Sequence, residues 1–132
     1  MCIRDRFLVK HLRINWKEGE KYFSNCLLDF NEANNVAQWQ WVAGCGADAA
    51  PYFRIFNPIL QGEKFDKEGL YVKKWVPELS KVPSKFIHKP WEMEIKYQNA
   101  INTIIGKDYP KPIVVHEEAR AAALNAFQSL KK

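Results

Sequence analysis

The stretch Trp16-Lys17-Glu18-Gly19-Glu20-Lys21-Tyr22-Phe23-Ser24-Asn25-Cys26-Leu27-Leu28 sets the fold class. Trp16, Tyr22, Phe23, Cys26 and Leu27 recur near a 3.6-residue period with charged side chains between them, the pattern of a helix with one buried face. Gly19 fits this reading worst, because glycine is a poor helix former. Just downstream, Asp29 to Asn35 is punctuated by polar residues and suits a turn leading into a helix start. Trp39 to Val42 is a short apolar element that its period leaves open between helix and strand. Upstream, Phe7 to Asn15 reads as a short helix with Phe7, Leu8 and Leu12 on one face, to which His11 is a further candidate.

Further along, Gly44-Cys45-Gly46-Ala47-Asp48 breaks the pattern. The aromatic run from Pro51 to Pro58 is bracketed by prolines and reads as a packed irregular loop or a short helix. Asp66 is placed to cap a helix over Lys67 to Trp75, which Pro77 stops. A helix is expected over Pro90 to Ile101 with Pro90 at its first position. The last helix is expected over His116 to Leu130. Glu117 and Glu118 favour its N-terminus, Lys131 and Lys132 its C-terminus, and Ala119, Ala122, Ala123, Ala126, Phe127 and Leu130 share a face. Strand signals are weak throughout, so the class is all-α with long ordered loops.

Composition narrows the function. The chain has 132 residues, enough for one compact unit, and 47% apolar content, enough to bury a core. The formal charge of +5 permits a polyanionic partner. Five tryptophans are more than core packing ordinarily calls for. No apolar run is long enough to span a membrane, and the N-terminus lacks the apolar stretch of a secretory signal. Cys2, Cys26 and Cys45 are odd in number and share no CxxC spacing, which favours reduced thiols and a cytoplasmic setting. His11, His88 and His116 are too scattered to point to a metal.

Three constellations carry chemistry. Asp29, Asn31, Asn34 and Asn35 crowd one polar turn; they suit helix capping, or a wall of donors and acceptors for a heteroaromatic ligand. Trp39 and Trp41, two apart on a helix, point about 200° from one another, so one can face the core while the other lines a cavity. Indoles are easily oxidised, which makes Trp16 and Trp39 candidates for passing electrons. Arg54 lies inside an aromatic stretch and suits pairing with an anion, whereas the lysines from Lys64 to Lys74 suit a solvated helix face. Gly44-x-Gly46-x-x-Ala49 is a loose dinucleotide fingerprint without the long helix it needs, because Pro51 follows at once.

Several strings together resemble the C-terminal, FAD-binding helical domain of the DNA photolyase/cryptochrome family, in particular class I cyclobutane pyrimidine dimer photolyases. They are Asn15 to Phe23, Trp39-Gln40-Trp41-Val42-Ala43-Gly44, Asp48 to Pro58, Gln61 to Asp66, Tyr71 to Leu79 and Tyr109 to His116. The resemblance covers Phe7 to Lys132. It implies cofactor contacts from Asp29, Phe30, Asn31 and Asn35, with Asn35 facing flavin N5. It implies that Trp39 and Trp16 are the proximal and middle members of an electron-transfer chain. Trp41 would pack on a flipped pyrimidine dimer, and Arg54 and Gln61 would approach the DNA strand. The implied reaction is light-driven electron donation from reduced FAD to the dimer, whose cyclobutane ring splits before the electron returns.

The sequence departs from the family in three ways. Asn31 stands where a second Asp is usual, so it can accept from flavin N3–H only as a neutral group. Met1 to Arg6 does not match, and is expected to be an N-terminal scar; the family has an Arg before Phe7 that would pair with Asp29. The antenna domain, its pigment and the first half of the FAD domain are expected upstream. The expected parent is a monomeric photolyase acting on DNA. The alternatives are a cryptochrome-type photoreceptor, or a fragment with no activity by itself. Asn35 and Trp41 favour the photolyase, because the resemblance places other residues at those positions in many cryptochromes.

Overall fold

The computed structural model describes residues 3–47 and 54–130. The fold is all-α, as its sequence pattern predicts. Among the described residues the only β-type pairing is an isolated bridge between Ile105 and Tyr109. The chain divides into two units, Met1–Phe56 with Val114–Lys132, and Asn57–Ile113.

In the first unit, α1 (Ile3–Arg6) runs into a π-helical turn, Phe7–His11, closed by Leu12 N–H donating to the Phe7 carbonyl at 3.0 Å. The expected helix over Phe7 to Asn15 is thus shorter, and Arg13 takes a left-handed φ of 54° beyond it. The buried side chains of the turn are Lys10 and His11, while Phe7, Leu8 and Leu12 are half-buried. Helix α2 (Trp16–Cys26) starts at Asn15, whose side chain accepts from Lys17 N–H at 3.0 Å. Its buried face is only partly the expected one: Trp16 and Phe23 turn inward, but Tyr22, Cys26 and Leu27 are exposed, and Gly19 is buried. The inward line runs Trp16, Gly19, Phe23, at i, i+3 and i+7.

Helix α3 (Glu32–Ala43) joins the expected polar helix start to the ambiguous Trp39–Val42 element. Asn31 caps it by accepting from Asn34 N–H at 2.9 Å. Gly44 ends it at φ 82°, where a side chain would be strained. Asn35, Trp39 and Val42 form its buried stripe, spaced i, i+4, i+7. The final helix of the unit, α7 (His116–Ser129), buries Ala119 and Ala123, but Ala126 and Leu130 of the expected apolar face are exposed. Cys2, Lys131 and Lys132 lie outside the described residues, as does the string from Asp48 to Phe53.

The second unit begins with α4 (Pro58–Phe65), a helix not singled out from sequence. Asn57 caps it by accepting from Ile59 N–H at 2.9 Å, and Pro58 supplies a preset φ at its start. The next helix, α5 (Leu70–Trp75), is shorter than expected because Gly69 at φ 67° begins it. Asp66 still serves it from upstream, accepting from Tyr71 and Val72 N–H at 3.2 Å each. The expected helix over Pro90 to Ile101 divides into a 3-10 turn (Pro90–Glu92) and α6 (Ile95–Ala100). Met93 goes extended between them and is buried with Leu79, Val82, Ile87 and Ile105. Gln98 makes that break tolerable: its amide nitrogen Nε2 donates to the Met93 carbonyl at 2.6 Å, and its Oε1 accepts from Ile105 N–H at 2.9 Å.

Candidate flavin-facing site

The first unit holds a hollow of about 240 Å³ lined by Asp5, Phe23, Leu27, Asp29, Asn31, Asn34, Asn35, Gln38 and Trp39. Each comes from a stretch whose local structure aims it there. Asp29 and Asn31 lie on the polar turn before α3, and Asn31 is held in place by its capping bond. Asn34, Asn35, Gln38 and Trp39 follow within two turns of α3. Phe23 and Leu27 come from the end of α2, one turn apart.

Two buried side chains give the hollow its character. Trp39 is 3% exposed and meets Phe23 edge-on, with ring centroids 5.2 Å apart and an interplanar angle of 80°. Asn35 is 7% exposed. Its Nδ2 donates to the Glu20 carbonyl at 2.9 Å and to Glu20 Oε1 at 3.3 Å. With the nitrogen committed to α2, the amide oxygen is the group Asn35 can present.

The expected site residues divide between several places. Asp29, Asn31, Asn35 and Trp39 come together in the hollow. Phe30 is exposed and does not line it, and Trp16 sits half-buried at the start of α2. Trp41 points elsewhere on α3, where the Arg6 guanidinium lies 5.0 Å from its ring centroid and 4.9 Å from that of Phe56. Arg54 is exposed on the same unit; its carbonyl accepts from Arg6 Nη1 at 3.3 Å and Lys10 Nζ at 3.1 Å. Gln61 belongs to the second unit, half-buried on α4. Sequence reasoning missed Phe23, Leu27, Gln38 and Asp5 as lining residues. Gln38 carried a usable signal, since it stands three and four residues after Asn35 and Asn34 on one helix.

Three cations, Arg6, Lys10 and Arg54, meet on the first unit. Burial, reinforced by Arg6, pushes the Lys10 pKa down to about 8. Burial and then the Arg54 charge pull Arg6 down as well. His11 and His116, remote in sequence, meet at 2.9 Å between Nε2 and Nδ1. Burial first, then His116, holds His11 below the ordinary imidazole range, while the Arg6 backbone pulls the other way. Among the described residues no group of three or more His, Cys, Asp or Glu is assembled to hold a metal.

The lining suits one face of a flavin ring. Phe23, Leu27 and Trp39 offer apolar and aromatic surface, while Asp29, Asn31, Asn34 and Gln38 offer acceptors and donors for ring N–H and carbonyl groups. The volume suits part of a dinucleotide, since complete small-molecule sites run to roughly 300–1,000 Å³.

Residues 2–129 match the family described as the FAD binding domain of DNA photolyase. The chain belongs to that family. It is 56% identical over 126 residues to a deoxyribodipyrimidine photo-lyase of Agrobacterium fabrum, covering 96% of this chain and 26% of the relative. A deoxyribodipyrimidine photo-lyase of Escherichia coli is 52% identical over 96% of the chain and 25% of its own length. Among solved structures, a bacterial class III photolyase from Agrobacterium tumefaciens superposes with a TM-score of 0.89 at 54% identity, over 96% of this chain and 26% of that one. A cryptochrome from Synechocystis gives 0.85 at 36% identity, over 92% and 25%. The chain thus spans about a quarter of the length of the relatives it matches.

Proposed function

We propose that the chain is the flavin-facing C-terminal portion of a deoxyribodipyrimidine photo-lyase, a light-driven enzyme that splits cyclobutane pyrimidine dimers in DNA. The observation that carries this reading is the convergence of Asp29, Asn31, Asn35 and Trp39 on one hollow. When bound and reduced, FAD supplies light-driven one-electron chemistry. The chain's residues bind and orient it. Asn31 and Asp29 accept from ring N–H, Asn35 presents its amide oxygen at the ring edge, and Trp39 with Phe23 excludes water from one side. Trp39 and Trp16 serve as the oxidisable relay. Trp41 offers an aromatic face to an extruded base, and Arg54 and Gln61 contact the strand.

The test is a chimera in which residues 7–132 replace the corresponding segment of the Agrobacterium fabrum relative. It is expected to retain FAD and repair dimer-containing oligonucleotides under blue light. A chimera that retains FAD and photoreduces it but leaves dimers intact would overturn the repair assignment. That outcome favours the cryptochrome-type reading, which the likeness to the Synechocystis protein supports. The chain alone is expected to bind FAD at well below stoichiometric yield, because its hollow of about 240 Å³ is smaller than a complete small-molecule site of roughly 300–1,000 Å³.

A further inference from the structure

We propose that Gly19 is a positioning residue for Trp39: the missing side chain at 19 makes the slot that seats the indole at the edge of the hollow. This rests on the flavin reading only for its functional consequence. A Cβ built on Gly19 would overlap Cη2, Cζ3 and Cζ2 of Trp39, the outer edge of the six-membered ring. The ring is 3% exposed and borders the hollow, so a side chain at 19 would push the indole out of its slot toward that hollow. Phe23, one turn further along α2, closes the slot with its edge-on contact. Between them Glu20 holds Asn35, one turn before Trp39 on α3. A single turn of α2 therefore sets the place of two of the hollow's buried side chains, and glycine is what lets the two helices approach there.

The sign of one substitution separates this role from a neutral glycine. In an exposed helix, Gly→Ala shifts the folding equilibrium about fivefold toward the folded state. Here Gly19→Ala must displace the indole, and overpacking of this kind costs about tenfold or more in the same equilibrium. The experiment measures urea unfolding of this chain and of Gly19→Ala, with 5-fluorotryptophan labelling and fluorine NMR of both. Trp39 is assigned by Trp39→Phe, and Lys21→Ala on the exposed face of α2 serves as the helix-propensity control.

Gly19→Ala is expected to lower stability, to move the Trp39 resonance while Lys21→Ala leaves it in place, and to be partly rescued by Trp39→Phe, whose smaller ring vacates the slot. In the photolyase chimera, Gly19→Ala is expected to reduce the yield of flavin photoreduction relative to the parent chimera. Stabilisation by Gly19→Ala with an unmoved Trp39 resonance would overturn the proposal. A parent chimera that binds no flavin would sink the flavin reading instead, and the fluorine and unfolding results would still decide the role of Gly19.

Discussion

The two units bury different kinds of residue. The second encloses an apolar cluster of Leu79, Val82, Ile87, Met93 and Ile105, and its buried Gln98 serves the backbone across the Met93 break. The first buries Arg6, Lys10, His11 and Asn35 beside Trp39 and Val42. Polar burial is costly unless it is paired, so a unit that accepts so much of it gives up stability for a shaped, chemically equipped surface. The second unit devotes its interior to cohesion. Packing constrains the sequence in one unit, and chemistry constrains it in the other.

The second unit offers the severest challenge to this contrast. Ile87 is among its most buried side chains, and Ile87→Ala is expected to cost about 3 kcal/mol, in the range for large-to-small core changes. Urea unfolding followed by residue-resolved hydrogen exchange checks this, and protection should fall mainly across 57–113. Equal loss of protection over α2 and α3 would contradict a separately cohesive core.

A change with smaller cost probes the first unit's side of the contrast. Asn35→Asp replaces an amide donor with a carboxylate facing the Glu20 carbonyl and carboxylate. The expected loss is about 2 kcal/mol at neutral pH, the scale of a buried acceptor left without a donor. A protonated carboxyl introduced at position 35 can donate again, so the folded-state pKa of the new group is raised. Its stability is then present at low pH and lost as pH rises through that value. Unfolding curves at about pH 5 and about pH 8 test the sign.

The smallest effect is the pH response of the wild-type chain. His11 has its pKa depressed by burial and by His116, so the unfolded chain takes up a proton first as pH falls. Stability should decline on acidification below the ordinary imidazole value of about 6.5, with a slope no steeper than about 1.4 kcal/mol per pH unit for one proton. Lys10 acts in the same direction at alkaline pH: stability should rise between about 8 and 10.5, because there the unfolded chain still holds the proton. A His11→Phe variant should flatten the acidic limb.

Much of the helical order was legible because it rests on local chemistry. The period of Trp16, Tyr22, Phe23, Cys26 and Leu27 marks α2 as a helix, though of these only Trp16 and Phe23 turn inward, and Asn31 and Gly44 bound α3 through side-chain capping and a left-handed φ. The errors share a cause. Tyr22 and Cys26 satisfy a helical period but face outward, while Gly19, which weakens the helix locally, lies on the buried face because Trp39 needs its space. Pro90 begins a 3-10 turn instead of a long helix, because burying Met93 and bonding it to Gln98 outweighs continuing the helix. Asp66 caps α5 from a distance that simple N-cap spacing does not describe.

The all-α class, the caps and breakers that bound most helices, and the strings that mark the photolyase FAD-binding family all follow from the order of the amino acids. They depend on residues within a few positions of one another, or on patterns of residue type. Three outcomes needed the packed molecule: which residues share the hollow, that His11 meets His116, and that a glycine on one helix seats an indole on the next. They depend on how closely helices approach, and close approach is set by side-chain volumes brought together from distant parts of the chain.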